Sequence, residues 1–167
     1  MHITQSFVYP APLSRISQMY ADPDHLLRRL DRRGILDPSV EADVAEDGTT
    51  TVVAAAAGDP SLLPPAARRF VRSGLSARIA LILAPEAGGE RRGTVDVTVN
   101  GAPVSASARL TLADRGESTE ATVELDIHVS VPLVGGAIEQ KAAGAIRGAL
   151  ETEPEAARDW LDAHPAA

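Results

Sequence analysis

The feature that most constrains this chain is a change of period near its C-terminal end. From Thr119 to Ser130 the sequence alternates strictly. Ala121, Val123, Leu125, Ile127 and Val129 fall on one side and Thr122, Glu124, Asp126 and His128 on the other, the pattern of a half-buried strand. Val131-Pro132-Leu133-Val134-Gly135-Gly136 follows, which suits neither a helix interior nor a central strand. A helical pattern then runs to about Leu161. With Ile138 as origin and ~100° per residue, Ala142, Ala145, Ile146, Ala149 and Trp160 gather on one side. Gln140, Gly144, Arg147 and Glu151 lie opposite. A strand that delivers a long helix with a small apolar face predicts a helix laid against a curved sheet.

The preceding chain supplies that sheet. Ile3–Tyr9 reads as a strand ended by Pro10 and Pro12. Leu13, Ile16, Met19 and Tyr20 then give a short amphipathic helix. Asp22-Pro23 starts a second, with Asp as N-cap and Pro at the first helical position. Leu26, Leu27 and Leu30 form its apolar face, and Gly34 is placed to end it. From Ile35 the period returns to two. Val40, Ala42 and Val44 lead to a turn at Glu46-Asp47-Gly48, and Thr49–Ala57 is the return strand. Pro64-Pro65 opens a short helical turn. Leu75–Leu83, a strand carrying Val95, Val97 and Val99, and one running from Val104 to Leu112 complete the set, with Asn100-Gly101 as the strongest hairpin signal. Short turns between successive strands predict an antiparallel meander. The fold class is therefore α+β: six or seven strands curved around a long C-terminal helix, with two short helices after the first strand. Residues 1–167 form one domain, with no repeat or linker.

Composition limits what such a domain can do. Apolar residues make up 44% of the chain but aromatics only 3%, so the core must be built from small aliphatic side chains. A net charge of −7 argues against a nucleic-acid partner. The absence of cysteine rules out disulfides and thiolate metal sites and fits the cytoplasm. No signal peptide is visible at the start, and no apolar run approaches the roughly 20 residues of a membrane span, so no stable membrane insertion is expected.

The element order resembles the helix-grip superfamily, which includes START lipid-transfer domains, plant pollen-allergen proteins and bacterial polyketide cyclases. More narrowly, the chain resembles an uncharacterised actinobacterial family within it. The residues carrying the likeness are Phe7-Val8-Tyr9-Pro10-Ala11, Asp22-Pro23-Asp24, Leu63-Pro64 before Phe70, and Val131 through Glu139. The resemblance implies a cavity between sheet and long helix that holds an apolar small molecule or lipid. Alternation and helical phase would line it with Ile79, Leu81, Val97, Ala108, Leu110, Val123, Leu125, Ile127, Ala142, Ala145, Ile146 and Ala149.

Groups that could carry chemistry are few. His2 and His164 lie near the termini, and His128 points away from the apolar face of its strand. His25, beside Leu26, is the one histidine placed near a cavity rim. No metal-ligand spacing occurs, nor any nucleophile elbow, P-loop or dinucleotide fingerprint. No catalytic residue, metal or cofactor is therefore assigned. Gly135-Gly136 reads as a bend and Glu139 as a first-turn complement to the helix dipole. Glu153 falls near the apolar side of the helix, but Pro154 disturbs the phase, and a solvated carboxylate is the expectation. Arg28, Arg29, Arg32 and Arg33 read as a solvated helix face. Arg68, Arg69 and Arg72 interleave with Leu62, Leu63, Phe70 and Val71, which also allows a segment that gates a cavity or makes transient contact with an anionic membrane. Binding of a hydrophobic ligand leads. An enzyme of the polyketide cyclase or aromatase type and a partner-binding module with a filled interior are the alternatives. The sequence sets no oligomeric state.

Overall fold

In the computed structural model, which describes residues 1–32, 35–62, 65–71 and 74–167, strand β1 (His2–Tyr9) leads into helices α1 (Leu13–Tyr20) and α2 (Pro23–Arg32). Strands β2 (Leu36–Val44) and β3 (Thr50–Ala57) follow. A 3₁₀ turn at Pro60–Leu62 and the short helix α3 (Pro65–Arg68) precede β4 (Ser76–Leu83), β5 (Glu90–Asn100), β6 (Val104–Asp114) and β7 (Thr119–Val129). Helices α4 (Gly135–Glu151) and α5 (Glu153–Ala163) end the chain. The sheet order is β1-β7-β6-β5-β4-β3-β2, and every neighbouring pair is antiparallel. This is the helix-grip α+β fold expected. Arg33, Gly34, Leu63, Pro64 and Arg72, each assigned a role above, lie outside the described residues.

Register shows why the sheet has one apolar face. Ile3, Leu125, Ala108, Val95, Leu81, Val52 and Ala42 pair in a single row across all the strands. One residue along, the row reads Thr4, Glu124, Arg109, Thr94, Ile82, Thr51 and Asp43. Because side chains alternate between faces, the first row is concave and covered by helices while the second is convex and wet.

Two apolar clusters divide the concave side. The first takes in Tyr9, Leu83, Leu110, Leu112 and Ala121 from the sheet, Leu13, Ile16 and Met19 from α1, and Ala157 and Trp160 from α5. The second gathers Ile3, Leu125, Ile127, Val129 and Val131 under Ile138 and Ala143 of α4. Helix α4 lies chiefly over β7 and β1, and α5 over β1.

The C-terminal helical stretch is two helices rather than the single one expected. The Thr152 amide and hydroxyl both donate to Ala149 O, at 3.3 and 2.8 Å, and Pro154 sits in the first turn of α5. Proline has no N–H to continue the ladder, and its ring crowds the preceding turn. The chain therefore closes α4 and restarts.

Candidate functional site

The two halves of the concave face differ in how they are filled. Around the first cluster, Leu83, Leu112 and Ala121 are each 0% exposed. Towards the other end of the strands, Ala77, Ile79, Val95, Val97, Val99, Val104, Ala106 and Ala108 also point inward but are only half-buried. The reason lies in the position of α4 over β7 and β1, which leaves the inner side of β4–β6 partly open. A strip of partly buried apolar side chains results, in which Val104, Ala106 and Ala108 of β6 and Ala142 and Ile146 of α4 pack at the edge of the second cluster. At the same end Phe70, Gly101, Ala102, Pro103 and Ser130 line an open surface pocket of about 420 Å³.

The residues expected to line a cavity are distributed over both halves. Ile79, Val97, Ala108 and Val123 are half-buried on the inner sheet face. Leu81 and Leu110 are buried in the first cluster, and Leu125 and Ile127 in the second. Ala145 departs from expectation, being exposed. The buried arc of α4 centres on Ile138 and Ala143, which leaves Ala145 at its margin.

A polar knot closes the filled end. The Tyr9 and Tyr20 hydroxyls lie 2.9 Å apart, Tyr9 Oη donates to Glu153 Oε2 at 3.3 Å, and Arg29 is ion-paired with Glu153 Oε1. Burial holds the Tyr9 phenol well above the usual tyrosine range, and burial likewise raises Tyr20. Two expectations are corrected here. Glu153 is not solvated but 4% exposed, and Arg29 belongs to no solvated face. The restart at Pro154 places Glu153 where α5 meets β1 and α2. Nearby, Trp160 Nε1 donates to Asp22 Oδ2 at 2.7 Å, Arg15 lies 5.2 Å over the indole, and His164 stacks on it at 4.5 Å. The carboxylate is taken up by these partners, so the knot braces α1, α2, β1 and α5.

Sequence reasoning also missed Arg91. Its guanidinium donates to Ala84 O (2.8 Å), Gly48 O (2.9 Å), Leu83 O (3.1 Å) and Thr50 Oγ1 (3.1 Å), tying the β2–β3 turn to the end of β4. Burial lowers its pKa, opposed by the Glu86 charge. The alternation Arg91, Gly93, Val95, Val97, Val99 points Arg91 inward and was available once β5 is started at Glu90 rather than near Val95.

Of the histidines, His128 and His2 are on the convex face, His2 bonded to Asp126 Oδ1 at 2.8 Å. His25 lines a crevice of about 90 Å³ with Arg28, Arg29, Ala156, Asp159 and Trp160, between α2 and α5 and away from the half-buried strip. Among the described residues no group of three His, Asp or Glu side chains is placed to hold a metal ion. Glu139 Oε1 accepts the Val129 amide at 2.9 Å and Oε2 lies 3.4 Å from the Met1 amine. The Val129 hydrogen bond, with help from that amine and His128, holds its carboxyl below the usual range.

A curved antiparallel sheet gripping a C-terminal helix over a partly open apolar face defines a protein of the helix-grip class. Residues 4–161 match the family described as protein of unknown function (DUF2505), and the chain belongs to that family. No curated protein matches it. Among solved structures it is similar to TTHA0849 from Thermus thermophilus, at 15% identity and a TM-score of 0.61 over 99% of this chain and 100% of that one. It is also similar to norcoclaurine synthase from Thalictrum flavum in complex with dopamine and hydroxybenzaldehyde (15%, TM-score 0.56, 100% and 89%). A third is the Zhui aromatase/cyclase from Streptomyces sp. R1128 (15%, TM-score 0.56, 100% and 96%). At this identity the likeness is one of fold. No helix among the described residues is long and apolar enough to cross a membrane.

Proposed function

We propose that the protein binds a hydrophobic small molecule or lipid in a groove between β4–β6 and α4, carrying or sequestering it in the cytoplasm without obligatory chemistry. One observation carries this reading. Inward-facing Ile79, Val97, Ala106 and Ala108 are only half-buried while equivalent positions at the other end of the same strands are buried. Apolar surface left open on a concave face is what a ligand of matching chemistry covers, at about 25 cal/mol per Å².

Norcoclaurine synthase and the aromatase/cyclase share this fold, which keeps an enzymatic reading in view. It needs a polar group opening into the groove. Tyr9 and Glu153 are instead buried and bonded to one another at the filled end, which favours binding over catalysis.

The test is native mass spectrometry of protein purified without detergent, followed by organic extraction and titration with an apolar fluorescent probe. A co-purifying apolar molecule, or stoichiometric probe binding displaced by fatty acids or polyketides, is the expected result. A protein that carries nothing and binds no apolar probe below high micromolar concentration is a filled-interior module.

A further inference from the structure

The connection between β7 and α4 holds an apolar side chain out where nothing covers it. Leu133 is fully exposed, at 105%, and its φ is 69°, a left-handed conformation unfavourable for a leucine. The loop is anchored on both sides of it. Val131 is buried and its amide donates to Val129 O at 3.0 Å. The Gly135 amide donates to Val131 O at 2.9 Å, and the Ser130 amide to Pro103 O at 2.9 Å. Val134 packs on the second apolar cluster. Pro132 and Leu133 are thus held outward by anchored neighbours, and backbone held in an unfavourable conformation points to a use.

The surroundings indicate what the leucine meets. Ser130 and Pro103 share their pocket with Phe70, and the Arg69 guanidinium lies 4.9 Å over the Phe70 ring. Arg68 and Arg69 are both exposed. On a chain of net charge −7, a surface with exposed arginines at the Phe70 wall of this pocket and an outward leucine three residues beyond its Ser130 wall is complementary to an anionic, apolar-backed surface.

We propose that this surface docks on an anionic phospholipid bilayer, Leu133 entering the headgroup boundary while Arg68 and Arg69 meet phosphates. The inference deepens the binding role above and rests on it for its purpose, exchange of an apolar ligand between bilayer and groove. A single leucine with two arginines gives weak, reversible attachment.

Co-sedimentation with phosphatidylcholine–phosphatidylglycerol vesicles, and with phosphatidylcholine vesicles alone, tests it. The native protein should bind the mixed vesicles, bind the neutral ones less, and release as salt rises. Leu133→Asn is the discriminating variant, because asparagine tolerates the left-handed region. It should keep its thermal midpoint and lose vesicle affinity by about tenfold, while Arg69→Gln should lose the preference for anionic lipid. No binding by the native protein, or equal binding by Leu133→Asn, overturns the proposal. A dimer that Leu133→Asn converts to monomer also overturns it, since the surface is then a contact between copies. Probe titration separates the two readings. Vesicle binding without probe binding refutes the groove and keeps the docking surface, whereas probe binding without vesicle binding does the reverse.

Discussion

Removing the Glu153 carboxylate leaves the Arg29 guanidinium, only 19% exposed, facing tyrosine hydroxyls with no counter-charge. Glu153→Ala should therefore destabilise by about 3 kcal/mol, at the low end for breaking a buried pair because Arg29 keeps some solvent. The double variant Glu153→Leu, Arg29→Met should recover much of that loss, since neither charge then stays behind; urea midpoints of the three proteins measure it. Glu139 acts through pH instead. Its folded carboxyl lies below the usual glutamate range, so its contribution is complete above that range. It is lost as pH falls through the lower folded value. Glu139→Gln should flatten the decline of the thermal midpoint in that acid window and leave the neutral region's slope unchanged. Glu139 was legible only as a carboxylate near the start of α4: the helix begins at Gly135 with no acid in its first turn, and the carboxylate accepts the Val129 amide instead of complementing the dipole as expected. Glu153 was not legible, because its direction depends on how the chain restarts at Pro154.

At the scale of elements, the two glycines that open α4 look equivalent in sequence and are not. A Cβ on Gly135 would lie 2.5 Å from Val129 O, whereas one on Gly136 would meet nothing within 4 Å. Gly135→Ala should cost about 1–3 kcal/mol as the last strand and the helix are pushed apart, while Gly136→Ala should be neutral or stabilising by about 0.5 kcal/mol. Further along, Gly144 and Gly148 are exposed and open around the Cβ position. Alanine at both should raise stability by about 1–2 kcal/mol in all. Circular dichroism melts of the four substitutions decide these signs. That the strand ends was readable from Pro132 and the glycines, but the turn is Pro132–Val134 alone, and Gly135-Gly136, expected as the bend, already belong to α4. The break between α4 and α5 was marked by Pro154, but the helical phase continues to Trp160 across it and masks the interruption.

The meander of the whole molecule was legible because turn signals and period-two runs are local, and the row from Ile3 to Ala42 only assembles what each strand already specifies. Where the concave face is filled and where it stays open is not local. It depends on α4 settling over β7 and β1 rather than over the middle of the sheet, and no single strand carries that information. Two alanines on the inner face make the difference measurable. Ala121 on β7 is 0% exposed, between Phe7 and Leu112 in the register. Ala108 on β6 faces the same way between Leu125 and Val95, yet it is half-buried. Leucine at Ala121 has no space to enter, so Ala121→Leu should overpack the filled end and lower stability by about 1–3 kcal/mol. On the proposed binding role, leucine at Ala108 has room to extend over the half-buried strip, so Ala108→Leu should leave the denaturation midpoint within about 0.5 kcal/mol of the native value while weakening apolar-probe binding. The comparison is internal, since both changes add the same atoms to the same face of adjacent strands. Equal destabilisation by the two would mean that the interior is solid from end to end. An Ala108→Leu protein that binds the probe as tightly as the native one would place the ligand elsewhere than against β6.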